Sequence, residues 1–202
     1  MKKRIKKGDY GYFAYEKKKR ALVTAGAFSI PLLILITGWI YHGSRNNILT
    51  VVAVVGSLPA CKFAVDLVMM MMRRSMKPEL YEQIAAHSGD LLMSYEMYIT
   101  FYEKSGYIDA FAICGNEVVG YTSDESVDLP YMESNIQKIV RKNGYKVNVR
   151  ILRDLRPYLE RLDSMNRNSA SLQEGIKFTP DEKYPELSRN ELIKHTILAI
   201  SL

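Results

Sequence analysis

Cysteine is scarce: Cys61 and Cys114 are the two in 202 residues, and no C-x-x-C pair occurs. That excludes a disulfide framework and a thiolate zinc site. His42, His87 and His195 lie far apart and show no metal-ligand spacing, so no metal and no other cofactor is expected. The chain lacks the phosphate-cradling G-x-x-x-x-G-K-[ST], the dinucleotide G-x-G-x-x-G, the nucleophile elbow G-x-S-x-G and the zinc-binding H-E-x-x-H. Internal repeats and low-complexity tracts are missing too, and a hydrophobic content of 48% excludes a disordered chain.

Charge is present but unevenly placed. The net charge is +6, from 28 basic and 22 acidic residues. Residues 1–20 carry nine of the basic side chains, Lys2, Lys3, Arg4, Lys6, Lys7, Lys17, Lys18, Lys19 and Arg20, against Asp9 and Glu16. This excess sits directly before a long apolar run, which points to anionic lipid headgroups rather than nucleic acid.

The run 21–41 holds 21 residues without a charge, and roughly 20 apolar residues cross a bilayer. Pro31 lies within it, and Trp39 and Tyr41 close it at the depth that suits amphipathic rings. It exceeds the roughly 7–15 residues of a cleavable signal core, and no small-x-small site follows, so cleavage is not expected. A second run, 48–72, follows after only HGSRNN. So short a link predicts an antiparallel transmembrane hairpin. Arg73, Arg74 and Lys77 follow the second run, whereas the link holds Arg45 alone. Positive flanks stay in the cytoplasm, which predicts a multi-pass protein of the cell membrane with both termini cytoplasmic.

Lys62 and Asp66 fall inside the second run, four residues apart on one helical face. Three readings are open. They neutralise one another against a neighbouring helix; or the span ends near Cys61 and Lys62 snorkels; or they line an ion or proton path in an oligomer.

Residues 77–202 supply enough chain for one small core. Pro78 opens a helix that ends near Gly89. Residues 91–102, 107–114 and 117–122 read as strands, the last two joined at Gly115-Asn116. Asp128 and Pro130 open a helix closed by Asn143-Gly144, 146–152 alternates as a strand, and Leu155 to Met165 has helical spacing. Residues 166–187 read mostly as loop, and Ser188 with Glu191 forms a capping-box pattern before a final helix. The expected architecture is therefore an α+β or α/β membrane protein. A basic tail (1–20) and a helical hairpin (21–72) precede a cytoplasmic domain (77–202). That domain has a four-stranded mixed sheet flanked by helices, in the order α-β-β-β-α-β-α.

The order α-β-β-β-α-β, with Asp109 in one strand of a hairpin, resembles the restriction-endonuclease-like nuclease core. In that family an acid on the second strand and an acid-x-Lys on the third hold a divalent metal. Asp109 matches the first acid and is the one catalytic candidate; Val119-Gly120-Tyr121-Thr122 supplies neither the second acid nor the lysine. The resemblance implies a degenerate, non-cleaving relative. The simpler reading of Asp109 is a strand-edge carboxylate paired with a basic neighbour. Cys114 reads as a core thiol unless the fold joins it to His87 or His195. Arg150, Arg153, Arg156 and Arg161, mixed with Asp154, Glu160 and Asp163, read as a salt-bridged face. The strings KKGDYGY, LTVVAVVGSLPACK, AICGNEVVGYT and ELIKHTILAISL are similar to those of small two-span membrane proteins of anaerobic Gram-positive bacteria. That family has no established activity; the hairpin followed by a complete domain without a convergent catalytic set leads to the expectation of a non-enzymatic membrane protein whose cytoplasmic domain binds or regulates. Its expected partners are the bilayer and either a second copy or a cytoplasmic protein. The alternatives are a membrane-tethered metal-dependent hydrolase at Asp109 and an oligomeric transport element using Lys62 and Asp66.

Overall fold

The computed structural model describes residues 5–44, 47–176, 178 and 184–201. Lys2, Lys3, Arg4 and Arg45 lie outside them. Two compact units form, one from Phe13–Ser75, the other from Met1–Tyr12 together with Met76–Leu202.

The first unit is a pair of long helices, α1 (Tyr12–His42) and α2 (Ile48–Met71). Both are long and apolar enough to cross a membrane. α1 begins before the apolar run and takes Lys17 to Arg20 into the helix, where the sequence suggested a separate tail. α2 runs unbroken past Cys61. Hydrogen bonds fix the antiparallel pairing: Asn47 Nδ2 donates to Gly38 O (3.1 Å), Thr24 Oγ1 to Phe63 O (3.1 Å), and Arg20 Nη1 to Asp66 O (3.3 Å). Close approach at the link needs glycine, since a Cβ on Gly38 would stand 2.8 Å from Leu49 Cβ. Asn47 also caps α2, accepting the Thr50 N–H at 2.9 Å.

The second unit is a three-layer α/β structure. After α3 (Pro78–Ser88) come β1 (Leu92–Thr100), β2 (Ser105–Cys114) and β3 (Glu117–Tyr121), then α4 (Leu129–Lys142), β4 (Asn148–Leu152) and α5 (Leu155–Arg167). A short α6 (Ser169–Gln173) and α7 (Arg189–Ala199) follow. The sheet order is β1-β2-β3-β4; β1, β2 and β3 are antiparallel in turn, and α4 carries the chain across to a parallel β4. The expected mixed sheet is therefore present and the element order roughly as expected, with α6 an additional short helix in the stretch read mostly as loop.

Amphipathic spacing decides the layers. Met132, Ile136 and Val140 of α4 and Ile193 and Ile197 of α7 pack with Phe111, Ile113, Val118 and Val149 on one face. Ile84 of α3 and Tyr158, Leu162 and Met165 of α5 cover Ala110, Ala112, Val119 and Tyr121 on the other. With both faces covered, β2 is buried from Gly106 to Cys114, as a central strand in a sandwich of helices must be. Residues 5–12 belong to this unit: Gly8 O accepts the Tyr95 N–H at 2.9 Å, and Lys7 Nζ donates to Ser201 O.

Ser188 and Glu191 make the anticipated capping box at α7, with the Ser188 N–H and hydroxyl donating to Glu191 Oε2 at 2.8 and 2.7 Å. The backbone N–H first, then the hydroxyl, holds the Glu191 carboxyl below its usual range. A depressed folded pKa contributes stability above the unfolded value, roughly 4.3, and the contribution fades as pH falls through the folded value. Ser188→Ala should cost about 1 kcal/mol at neutral pH and flatten the acid-side decline. Urea melts of both proteins between neutral and acidic pH would check this.

Candidate functional site

Asp109 sits on β2, a central strand, and not on a strand edge as the simpler sequence reading had it. Its register neighbours are informative. Tyr95 pairs with Ala110 and Met97 with Ile108, so Glu96 of β1 lies opposite Asp109. Both acids are 2% exposed. Glu96 adopts φ +51°, the left-handed region that non-glycine residues avoid. The consequence is a switch of faces in both strands: Tyr95 and Ala110 face α3 and α5, whereas Met97 and Ile108 face α4 and α7.

Each carboxylate is held by backbone. Glu96 Oε1 accepts the Met76 N–H at 2.9 Å, and Asp109 Oδ2 accepts the Ser123 N–H at 2.6 Å. Thr122, also fully buried, donates to Tyr107 O at 2.6 Å and accepts the Asp124 N–H at 3.1 Å. Tyrosines surround the acids. Burial, then Asp109 and Asp154, pushes the Tyr121 phenol up. Burial, then Tyr95 and Asp109, pushes Tyr158 well up. Tyr95 is pushed up to about 12, by burial first and the Tyr81 phenol next. The Tyr158 hydroxyl is buried without a hydrogen-bond partner among the described residues. Tyr158→Phe should therefore raise stability by about 1 kcal/mol, because an unsatisfied buried hydroxyl is a cost; a lower denaturation midpoint would contradict this.

On the third strand Gly120, in the stretch compared with the nuclease motif, lies across from Phe111 and not from Asp109. A Cβ on Gly120 would lie 2.7 Å from Phe111 Cε1, so the aromatic ring occupies that position. The described residues contain no group of three or more His, Cys, Asp or Glu side chains able to hold a metal ion.

The other candidates lie apart from this pair. Cys114 is buried on β2, where Gln173 Nε2 donates to its Sγ at 3.7 Å, while His87 pairs with Asp163 at 2.8 Å and His195 packs on Tyr184 at 5.1 Å. The fold does not join them. The arginines of 150–161 disperse: Arg161 pairs with Glu117 at 3.0 Å, Arg156 with Glu160 at 3.3 Å, and Arg153 caps Glu125 and Val127 carbonyls.

On the helical hairpin, Lys62 is exposed and Asp66 half-buried, and no ion pair joins them. The basic residues gather at the open end. Lys17 Nζ donates to Arg73 O at 2.6 Å, Lys19 and Arg20 pair with Glu16 at 3.0 and 3.4 Å, and Lys18 and Arg74 are exposed. Lys6 is exposed in the other unit, where burial pushes the Lys7 ammonium down.

Sequence reasoning singled out Asp109 and missed Glu96. The only available signal was an acid within LLMSYEMYITFY, a run otherwise apolar, aromatic or hydroxylated. No protein-family model matches the chain, and neither the curated proteins nor the solved structures contain a match.

Proposed function

We propose that this chain is an integral membrane protein whose α1–α2 hairpin anchors an α/β binding or regulatory module at the cytoplasmic face. The observation that carries the reading is the outward display of apolar side chains along both helices. Leu22, Ile40 and Ile48 are 77%, 79% and 74% exposed, and Leu32, Leu33, Val54, Val55 and Leu58 are exposed between them. Water would oppose such a surface strongly, whereas hydrocarbon solvates it. The cations at one end supply the orientation. Lys17, Lys18, Arg73 and Arg74 share the open end, which suits a cytoplasmic leaflet rich in anionic headgroups. The backbone carbonyl of Asp66 receives Arg20 from α1, which supports a structural reading of this stretch of α2 over a transport path.

A non-catalytic reading accords with Glu96 and Asp109 each being held by a backbone N–H, from Met76 and Ser123. The hydrolase alternative needs a divalent ion at Asp109. Manganese titration of the full-length protein in detergent discriminates: saturable binding abolished by Asp109→Asn would replace the module reading with the hydrolase.

Membrane integration has its own test. After alkaline carbonate washing the protein should stay with the membranes, and a cysteine introduced at Ser44 should react with an impermeant maleimide from outside intact cells. One introduced at Arg74 should not. Release into the wash, or labelling in the opposite sense, would overturn the anchor or its orientation. Leu33→Arg should disfavour insertion by about 2.5–3.5 kcal/mol.

A further inference from the structure

In the α/β unit a cavity of about 300 Å³ opens between the 5–12 segment, α3 and β1. Three tyrosines line it: Tyr10, Tyr81 and Tyr95. Tyr10 and Tyr81 are stacked at 3.9 Å and 11°, and Tyr95 meets Tyr81 at 5.1 Å and 72°. The stack and the third ring form a corner of two nearly perpendicular aromatic planes. Asp9 stands on the same wall, and Met93 adds a polarisable thioether. All these residues belong to one compact unit.

We infer that this corner is a binding site for an organic ammonium cation of the trimethylammonium type, held by the tyrosine rings and the carboxylates around them. The stacked Tyr10–Tyr81 pair and Tyr95, at 72° to it, line the cavity with aromatic surface from two directions, the kind of lining that recognises quaternary ammonium groups. Such a group is apolar in surface and cationic at its centre, so it gains contact area without demanding hydrogen bonds. The charge around the site favours it. Asp9 is on the wall, and the Tyr10 phenol is pushed up by burial first, then by Glu96, Tyr81, Glu82 and Glu79. Facing the carboxylates is Lys194, which burial pushes down and whose Nζ donates to Met93 O at 2.7 Å. One ammonium leaves the acidic excess in place. The site shares Glu96 with the acid pair but does not depend on Asp109 or on membrane insertion.

Full-length protein in a detergent without choline groups would be titrated with tetramethylammonium, choline and glycerophosphocholine. 3,3-Dimethylbutanol serves as the neutral shape match. The ammonium probes should bind saturably and at least about tenfold more tightly than the alcohol, as the cation–π contribution requires. Tyr81→Leu should lose about tenfold in affinity, and Tyr81→Phe should retain it because the ring face is kept. Asp9→Asn, which preserves shape, should weaken the cations and leave the alcohol unchanged. Tighter glycerophosphocholine would assign a lipid headgroup as the source, and tighter choline a free metabolite; either supports the site. Equal binding of the alcohol, absence of saturable binding, or a Tyr81→Leu protein that melts normally and binds normally would overturn it.

Discussion

Phe111→Ala is expected to lower the unfolding free energy by about 3–5 kcal/mol, a large share of the roughly 5–15 kcal/mol that holds a typical domain folded. Phe111 is fully buried in the core between the sheet and helices α4 and α7. It lies directly across from Gly120 in the β2–β3 ladder, and its ring fills the space where a side chain at 120 would begin, with Cε1, Cδ1 and Cζ at 2.7, 3.0 and 3.2 Å from an ideal Cβ. Truncating the ring leaves a void on a strand that cannot collapse, since both its faces are covered. Gly120→Ala alone should cost about 1–3 kcal/mol by overpacking. The double variant should cost less than the two together, by a coupling of about 0.5–3 kcal/mol, because the added methyl enters the vacated ring space. Denaturant melts of the four proteins would measure this, and strict additivity would show that the ring and the glycine do not share that space. The same geometry should make Gly120→Glu more destabilising than Gly120→Ala.

The second large effect belongs to Gly115. It turns the β2–β3 hairpin at φ +58°, which costs an L-residue about 1–2 kcal/mol. The close neighbour adds more: a Cβ there would stand 2.1 Å from the Leu172 carbonyl oxygen, a backbone atom of α6 that cannot rotate away. Gly115→Ala should therefore cost about 3 kcal/mol or more, from the two terms combined. It should also push α6 off the sheet. Cys114 reports this directly, because its partners Gln173 and Ser169 are both on α6. With Cys61→Ser removing the exposed thiol, the disulfide-exchange reagent DTNB should react with Cys114 much faster in the Gly115→Ala protein. An unchanged rate with an unchanged melt would refute the contact.

Much of the secondary structure was legible because its signals are local. Pro78, Asp128 with Pro130, and Ser188 with Glu191 opened their helices as anticipated, and Gly144 closes α4 at φ +89°. α6 was not legible. It is five residues long, too short to show a helical period, and its place on β2 depends on Gly115. The N-terminal segment misled in another way. Its lysines suggested one continuous tail, yet Gly8 and Tyr10 dock on β1 and α3 through a backbone bond and a ring stack. The acid pair was half legible: Asp109 drew attention through element order, but Glu96 became its neighbour only through strand register.

Composition and periodicity alone determined two apolar helices with a short link, a basic excess at one end, and a sheet domain of known element order. Those follow from interactions within a few residues, which sequence spacing records directly. The tertiary structure decided which acids lie opposite one another in the β1–β2 ladder, which glycines must lack a side chain, and that three tyrosines from separate segments meet at one cavity. Such meetings depend on register and layer packing between residues up to a hundred positions apart, and no local pattern encodes them.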